Sequence, residues 1–243
     1  ITIQGESGDS SLVTLEHTDN VTYKFIDLNN VAGFTFRHMK IKSLTTTDSP
    51  FIKFINCDSL RLVNCDFSSY RQYNNGIFNW GSYGTQENQL FFTNCSGVLI
   101  ENNANLLGCF ISISNGQHNV FRILNNTNIN SYSAYDGIEY TGTNSGSVKL
   151  TISGNTFTEM HSTNYRAIDI STNGNSSYDD TVIVSNNIFY FTSAKTFTLR
   201  LISNTDEGLL VFKDNIFPFD GGVYPPSISL YRADSVLRNT CYG

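Results

Sequence analysis

Short runs of alternating apolar and polar residues recur along the chain, each ending in a turn that carries Asn or Cys. The turns are Asn64-Cys65-Asp66-Phe67, Asn94-Cys95-Ser96, Asn125-Asn126-Thr127, Gly154-Asn155-Thr156-Phe157, Asn186-Asn187-Ile188-Phe189 and Asp214-Asn215-Ile216-Phe217, with a weaker copy at His38-Met39-Lys40-Ile41. Taking the second residue of each as an anchor, the intervals are 26, 30, 31, 29, 32 and 28 residues, a repeat of about 29. Three residues before the anchor stand Phe36, Leu62, Phe92, Ile123, Ile152, Val184 and Phe212; five before stand Phe34, Leu60, Leu90, Phe121, Leu150, Val182 and Leu210. Both columns are apolar throughout, while the column between them is mixed. That is the period-2 signature of a strand with one buried face.

A second strand follows in each repeat, seen in Phe51-Ile52-Lys53-Phe54-Ile55, Gly76-Ile77-Phe78-Asn79-Trp80, Gly137-Ile138-Glu139-Tyr140 and Ala167-Ile168-Asp169-Ile170. Clusters of Gly, Asn, Ser and Asp separate the strands, and no helical periodicity intervenes, which excludes βαβ units. A unit of this length without a helix is too short for a propeller blade and lacks leucine-rich spacing. It suits one coil of a parallel β-helix, in which like residues stack every ~4.8 Å. The reading is an all-β, single-stranded, right-handed parallel β-helix solenoid of about eight coils. Asn126, Asn155, Asn187 and Asn215 would form an interior amide ladder, and Phe67, Phe157, Phe189 and Phe217 a ring stack. In the fourth copy Asn128 stands where Phe is expected and Ile129 follows, which predicts a one-residue bulge. No linker divides the chain, so residues 1–243 read as one domain. The opening at Ile1, strand-like and without a leader, reads as a piece of a longer surface protein.

Composition narrows the class. Charged residues are only 15% of the chain, aromatic residues 13%, and Asn alone numbers 29 of 243. So aromatic a chain buries enough apolar surface to order itself. A net charge of −6 excludes a nucleic-acid binder, which needs a basic surface, and no apolar run reaches the ~20 residues of a spanning helix. Of five cysteines, Cys65 and Cys95 fall on equivalent anchor positions of consecutive coils. They are either stacked thiols or, with Cα atoms ~5 Å apart, a disulfide. Asn20, Asn94, Asn125 and Asn175 head glycosylation sequons, matches that a chain so rich in Asn, Ser and Thr produces by chance; Asn94 and Asn125 sit at tight corners, where a glycan would be awkward.

The coils resemble the right-handed parallel β-helix (pectate-lyase-like) superfamily. Within it, Asn-Asn-Ile-Phe and Asn-Cys-Asp-Phe look like the short repeats of bacterial surface β-helices of the polymorphic outer-membrane protein type. The resemblance covers roughly residues 20 to 240. It implies an extracellular or cell-surface location and an adhesin-like role toward a glycan or a host or partner surface protein.

Function in such a stack belongs on outward columns and loops. The middle of the second strand gives Lys53, Phe78, Ser112, Glu139, Asp169, Arg200 and Ser229. Glu139 and Asp169, adjacent with Arg200 one coil on, are candidate catalytic groups: like charges so close raise one carboxyl pKa and suit a retaining glycosidase pair. The bland alternative is a polar strand face with a weak ion pair. Tyr73, Tyr135 and Tyr165 offer flat faces for sugar rings, with Asp136, His161 and Arg166 nearby. Ca²⁺ takes carboxylate oxygens, but no Asp-rich loop offers a full set, so no cofactor is expected. The Gly-His-Gly and Arg-Ile-Lys motifs of polygalacturonases and the Asp-Pro-His of uronan epimerases are absent. Fifteen Lys and Arg are thin provision for neutralising a polyuronate. The expected function is non-catalytic binding, with a polysaccharide lyase or hydrolase as alternative and a structural spacer third.

Overall fold

The computed structural model describes residues 1–5, 13–17, 26–43, 52–69, 90–106, 109–113, 119–127, 129–130, 137–143, 147–158, 166–173, 180–190, 198–203, 209–218, 227–231 and 235–242. Among them every regular element is a β-strand and every strand pairing is parallel. The chain visits sheets in cyclic order, the arrangement of a β-solenoid: each strand of a nine-stranded sheet is followed by a short strand or bridge in a second layer, then by a strand of an eight-stranded sheet. The second layer is three-stranded early (Thr14–His17, Lys40–Ser43, Asp66–Ser69) and five-stranded later, from Ile129–Asn130 to Thr240–Tyr242.

Alternation does what the pattern predicts. In the nine-stranded sheet, Phe36, Leu62, Ile100, Ile123, Ile152, Val184 and Phe212 face each other in register and are buried. Val98 and Ile100 hold the places that the repeat gave to Leu90 and Phe92. Those two residues lie instead in Leu90–Thr93, a strand of the eight-stranded sheet, where Phe92 stacks on Phe54 at 5.0 Å between centroids. The repeat is therefore real but not regular.

The ladder shows why. Asn103, Asn126, Asn155, Asn187, Asn215 and Asn239 follow one another up the interior, at separations of 23, 29, 32, 28 and 24 residues. Each carboxamide oxygen from Asn126 onward accepts two bonds from the Asn before it, one from the main-chain N–H and one from Nδ2, at 2.9–3.1 Å. Each Nδ2 also donates to a strand carbonyl: Leu62, Ile100, Ile123, Ile152, Val184 and Phe212 in turn. Below Asn103 stands Cys65, 38 residues earlier, whose N–H donates to the Asn103 oxygen at 2.8 Å.

The left-handed bend is made by the residue before each rung: Asn64, Asn102, Asn125, Gly154, Asn186, Asp214 and Arg238 all have φ between 49° and 71°. Asn and Asp tolerate this region, which leaves the rung residue itself free to point inward. Phe157, Phe189 and Phe217 stack beside the ladder at 4.6 and 4.9 Å. Ile129, three residues past Asn126, pairs with Phe157, two past Asn155, so this coil spends one residue more than the next between its rung and its strand; Asn128 itself lies outside the described residues.

Asn155→Leu strips the acceptor from both Asn126 donors inside the core. Buried donors left unsatisfied cost about 1–3 kcal/mol each. Urea unfolding should show a loss of about 3 kcal/mol, whereas Asn186→Gly, at an exposed left-handed position, should stay within about 0.5 kcal/mol of the parent.

Candidate functional site

The middle column of the eight-stranded sheet is paired residue to residue along the backbone: Asp27, Lys53, Phe91, Phe110, Glu139, Asp169, Arg200 and Ser229. Glu139, Asp169 and Arg200 thus stand directly opposite one another on neighbouring strands, Ile138–Thr143, Arg166–Asn173 and Thr198–Ser203. Two expected members differ. Phe110 takes the place expected of Ser112, which pairs with Thr141 one column over. Phe91 faces Lys53, and Phe78 lies outside the described residues.

The column divides in character. At its early end the Lys53 ammonium lies 5.9 Å from the centroid of the Phe91 ring, and both side chains are half-buried. Asp27, exposed, is the next residue in register. At its later end Glu139 is half-buried, but Asp169 is only 5% exposed. Ala167, Ile168, Asp169 and Ile170 are all buried, so both faces of this strand are covered. The pairing with Thr198–Ser203 also shifts between Arg166 and Ile168, which leaves Ala167 as a bulge two residues from Asp169. An outward position on a two-stranded alternation normally faces water; here it does not.

Tyr73, Tyr135, Tyr165, Asp136 and His161 lie outside the described residues. Arg166 opens its strand opposite Thr198. Sequence reading passed over two aromatic positions. Phe91 was assigned to the wrong sheet, and Tyr190, 43% exposed beyond Ile188–Phe189, was not singled out. Among the described residues no three His, Cys, Asp or Glu side chains gather to hold a metal ion.

Asp180 accepts the N–H of Val148 at 2.9 Å and so secures the start of Val148–Ser153. Burial, and then the nearby Asp180, raise the Tyr140 phenol well above its ordinary range.

Cys57, Cys65 and Cys95 occupy two corners rather than one. Cys95 stacks on Cys57, since Ser96 N–H donates to the Cys57 carbonyl and Asp58 bridges Ser96. Cys65 belongs to the ladder corner instead, under Asn103. The expected equivalence of Cys65 and Cys95 fails, and with it their disulfide: all five cysteines are free thiols. Burial raises Cys65 from 9.0 to about 11, and Cys95 and Cys109 to about 12.

Compared with known proteins, the chain matches no family model, no curated protein and no solved structure.

The thiols give a direct check. Cys241 alone is exposed, so a disulfide reagent should titrate one thiol rapidly in the native protein and five after denaturation. The Cys65, Cys95 and Cys109 thiols stay protonated in the fold above the pH at which they ionise in the unfolded chain. Stability is therefore independent of these groups below pH 9 and falls as pH rises from 9 towards 12. Denaturant midpoints across that range should decline.

Proposed function

We propose that this chain is a single-domain, right-handed parallel β-helix of the pectate-lyase-like superfamily. On this reading it serves as an extracellular or cell-surface, adhesin-like module that binds a glycan or a partner surface without catalysis. The polymorphic outer-membrane type of surface repeat is the subfamily that its Asn-Asn-Ile-Phe and Asn-Cys-Asp-Phe turns favour. The reading rests on the outward column of the eight-stranded sheet. A carboxylate acting as nucleophile must meet its substrate, yet Asp169 is 5% exposed. The more open end of the column instead offers Lys53 and Phe91, a cation beside a ring, with Asp27 in register. Rings supply large contact area at low entropic cost, and polar neighbours orient what they hold. Parallel strands repeat this surface every ~4.8 Å, so a linear polymer lying along the column would meet successive rows of side chains.

A second reading keeps one observation in its favour. Glu139, Asp169 and Arg200 are opposed without offset, beside a bulge of the kind that re-aims side chains near active sites. That is the placement a polysaccharide lyase or hydrolase using these three residues would need.

A panel of neutral, amino and uronate polysaccharides, read for both binding and bond cleavage, separates the two. Binding without cleavage is expected, weakened about tenfold by Phe91→Ala and less by Lys53→Ala, with Tyr135→Ala and Tyr165→Ala as further probes. Cleavage abolished by Glu139→Gln or Asp169→Asn would establish the enzyme and overturn the binding module.

A further inference from the structure

The outward face of the nine-stranded sheet carries charge without partners. Strand pairing sets Arg61, Leu99 and Arg122 in one line on successive strands. Both arginines are exposed, and Leu99 between them is half-buried. One column to the side, Lys149 is exposed in the row after Arg122, opposite the half-buried Val120. One column to the other side stand Glu101 and Leu124, paired with each other and half-buried.

Three cations on a partly aliphatic face are unexpected in a chain of net charge −6. Cations elsewhere are held: Arg37 donates to Gln4, Lys40 faces Asp66, Lys53 lies over the Phe91 ring and Arg238 pairs with Asp214. Among the described residues Arg61, Arg122 and Lys149 make no side-chain hydrogen bond or ion pair.

Register states what would satisfy them. Parallel strands lie ~4.8 Å apart, so Arg61 and Arg122, two rows apart, are ~9.6 Å apart at the backbone, and Lys149 is ~16 Å from Arg61. An α-helix rises ~1.5 Å per residue, so acids at i, i+7 and i+11 recur on one face at ~10.5 and ~16.5 Å. Its i+3 or i+4 side chain then falls between the first two acids, over Leu99. An extended strand repeats a face every ~6.7 Å and fits neither separation. A nucleic-acid strand carries one phosphate per ~3.4 Å of rise, far denser than these cations. A sugar polymer would set hydroxyls against Leu99, Val120 and Leu124, which offer them no hydrogen bond.

We propose that this face, centred on Arg61, Leu99 and Arg122, docks an acidic amphipathic helix of a partner protein. The helix lays carboxylates on Arg61, Arg122 and Lys149 and an apolar side chain on Leu99. Glu101, diagonal to both arginines, repels an acid on the adjoining side of the helix and so fixes its rotation. The surface lies on a different sheet from the Lys53 and Phe91 column and does not rest on the reading given to that column.

The probe is a capped, fluorescently labelled, Ala-based helical peptide of about 20 residues. It carries Glu at i, i+7 and i+11 and Leu at i+3 and i+4. Anisotropy at low ionic strength should show saturable binding that weakens as salt rises. Arg61→Gln and Arg122→Gln should each weaken binding about fivefold with unchanged circular dichroism, and Arg122→Lys should retain most of it. Glu101→Gln should tighten it about twofold, which a merely structural role would not produce. A peptide of the same composition with Glu at i, i+2 and i+5, spread around the helix, should bind about fivefold more weakly. Phe91→Ala should change nothing. Absence of binding, equal binding of the two peptides, or displacement of the first by hyaluronan or single-stranded DNA at equal charge would overturn the proposal. Loss of peptide binding in Phe91→Ala would overturn it too, by moving the peptide to the other sheet. None of these results alters the outcome of the polysaccharide panel.

Discussion

The carboxamide ladder is the constraint on which the architecture depends. Six Asn side chains run up an otherwise apolar interior, and burying an amide without partners costs several kcal/mol. The cost is met because each oxygen receives two donors from the rung before it, while each Nδ2 serves the next rung and a strand carbonyl. Such a network is satisfied only when the layers lie in one register. A slip of one residue would leave an amide buried among Phe and Ile. Apolar stacking alone tolerates exchange of Leu for Ile or Val; the ladder does not, and it sets where every strand of the nine-stranded sheet stands.

Once register is fixed, chemistry has few places to go. Inward columns are occupied by core residues and corners by left-handed residues, most of them Asn, which leaves outward columns whose members come from strands far apart in sequence. Lys53, Phe91, Glu139 and Asp169 are brought into one line this way. Rigid spacing suits recognition of an extended partner. Reactivity also needs access, which the burial of Asp169 restricts.

Much of this was legible in the residues themselves. The period-2 columns from Phe121 to Phe212 hold, as do the rungs Asn126 to Asn215, the ring stack of Phe157, Phe189 and Phe217, and the one-residue excess between Asn126 and Ile129. Reading failed where two corners share one local grammar. Leu90-x-Phe92-x-Asn94-Cys95 and Val98-x-Ile100-x-Asn102-Asn103 are the same pattern: two apolar residues, a left-handed Asn, then a small buried residue. Taking Cys95 as the rung divides the span from Cys65 to Asn126 almost evenly, which looks regular. The true rung, Asn103, divides it into 38 and 23.

Sequence alone determined the class of structure, because alternation, turn residues and recurring Asn are properties of a single strand and its bend. It pointed as well to buried Asn partnering buried Asn, since a carboxamide carries both a donor and an acceptor and its copies recur at the same place in successive coils. Which corner a given Asn or Cys occupies, which outward residues become neighbours, and that Asp169 is covered were decided only by tertiary structure. These depend on hydrogen bonds and contacts between segments 23 to 38 residues apart, and no pattern local to either segment encodes that pairing.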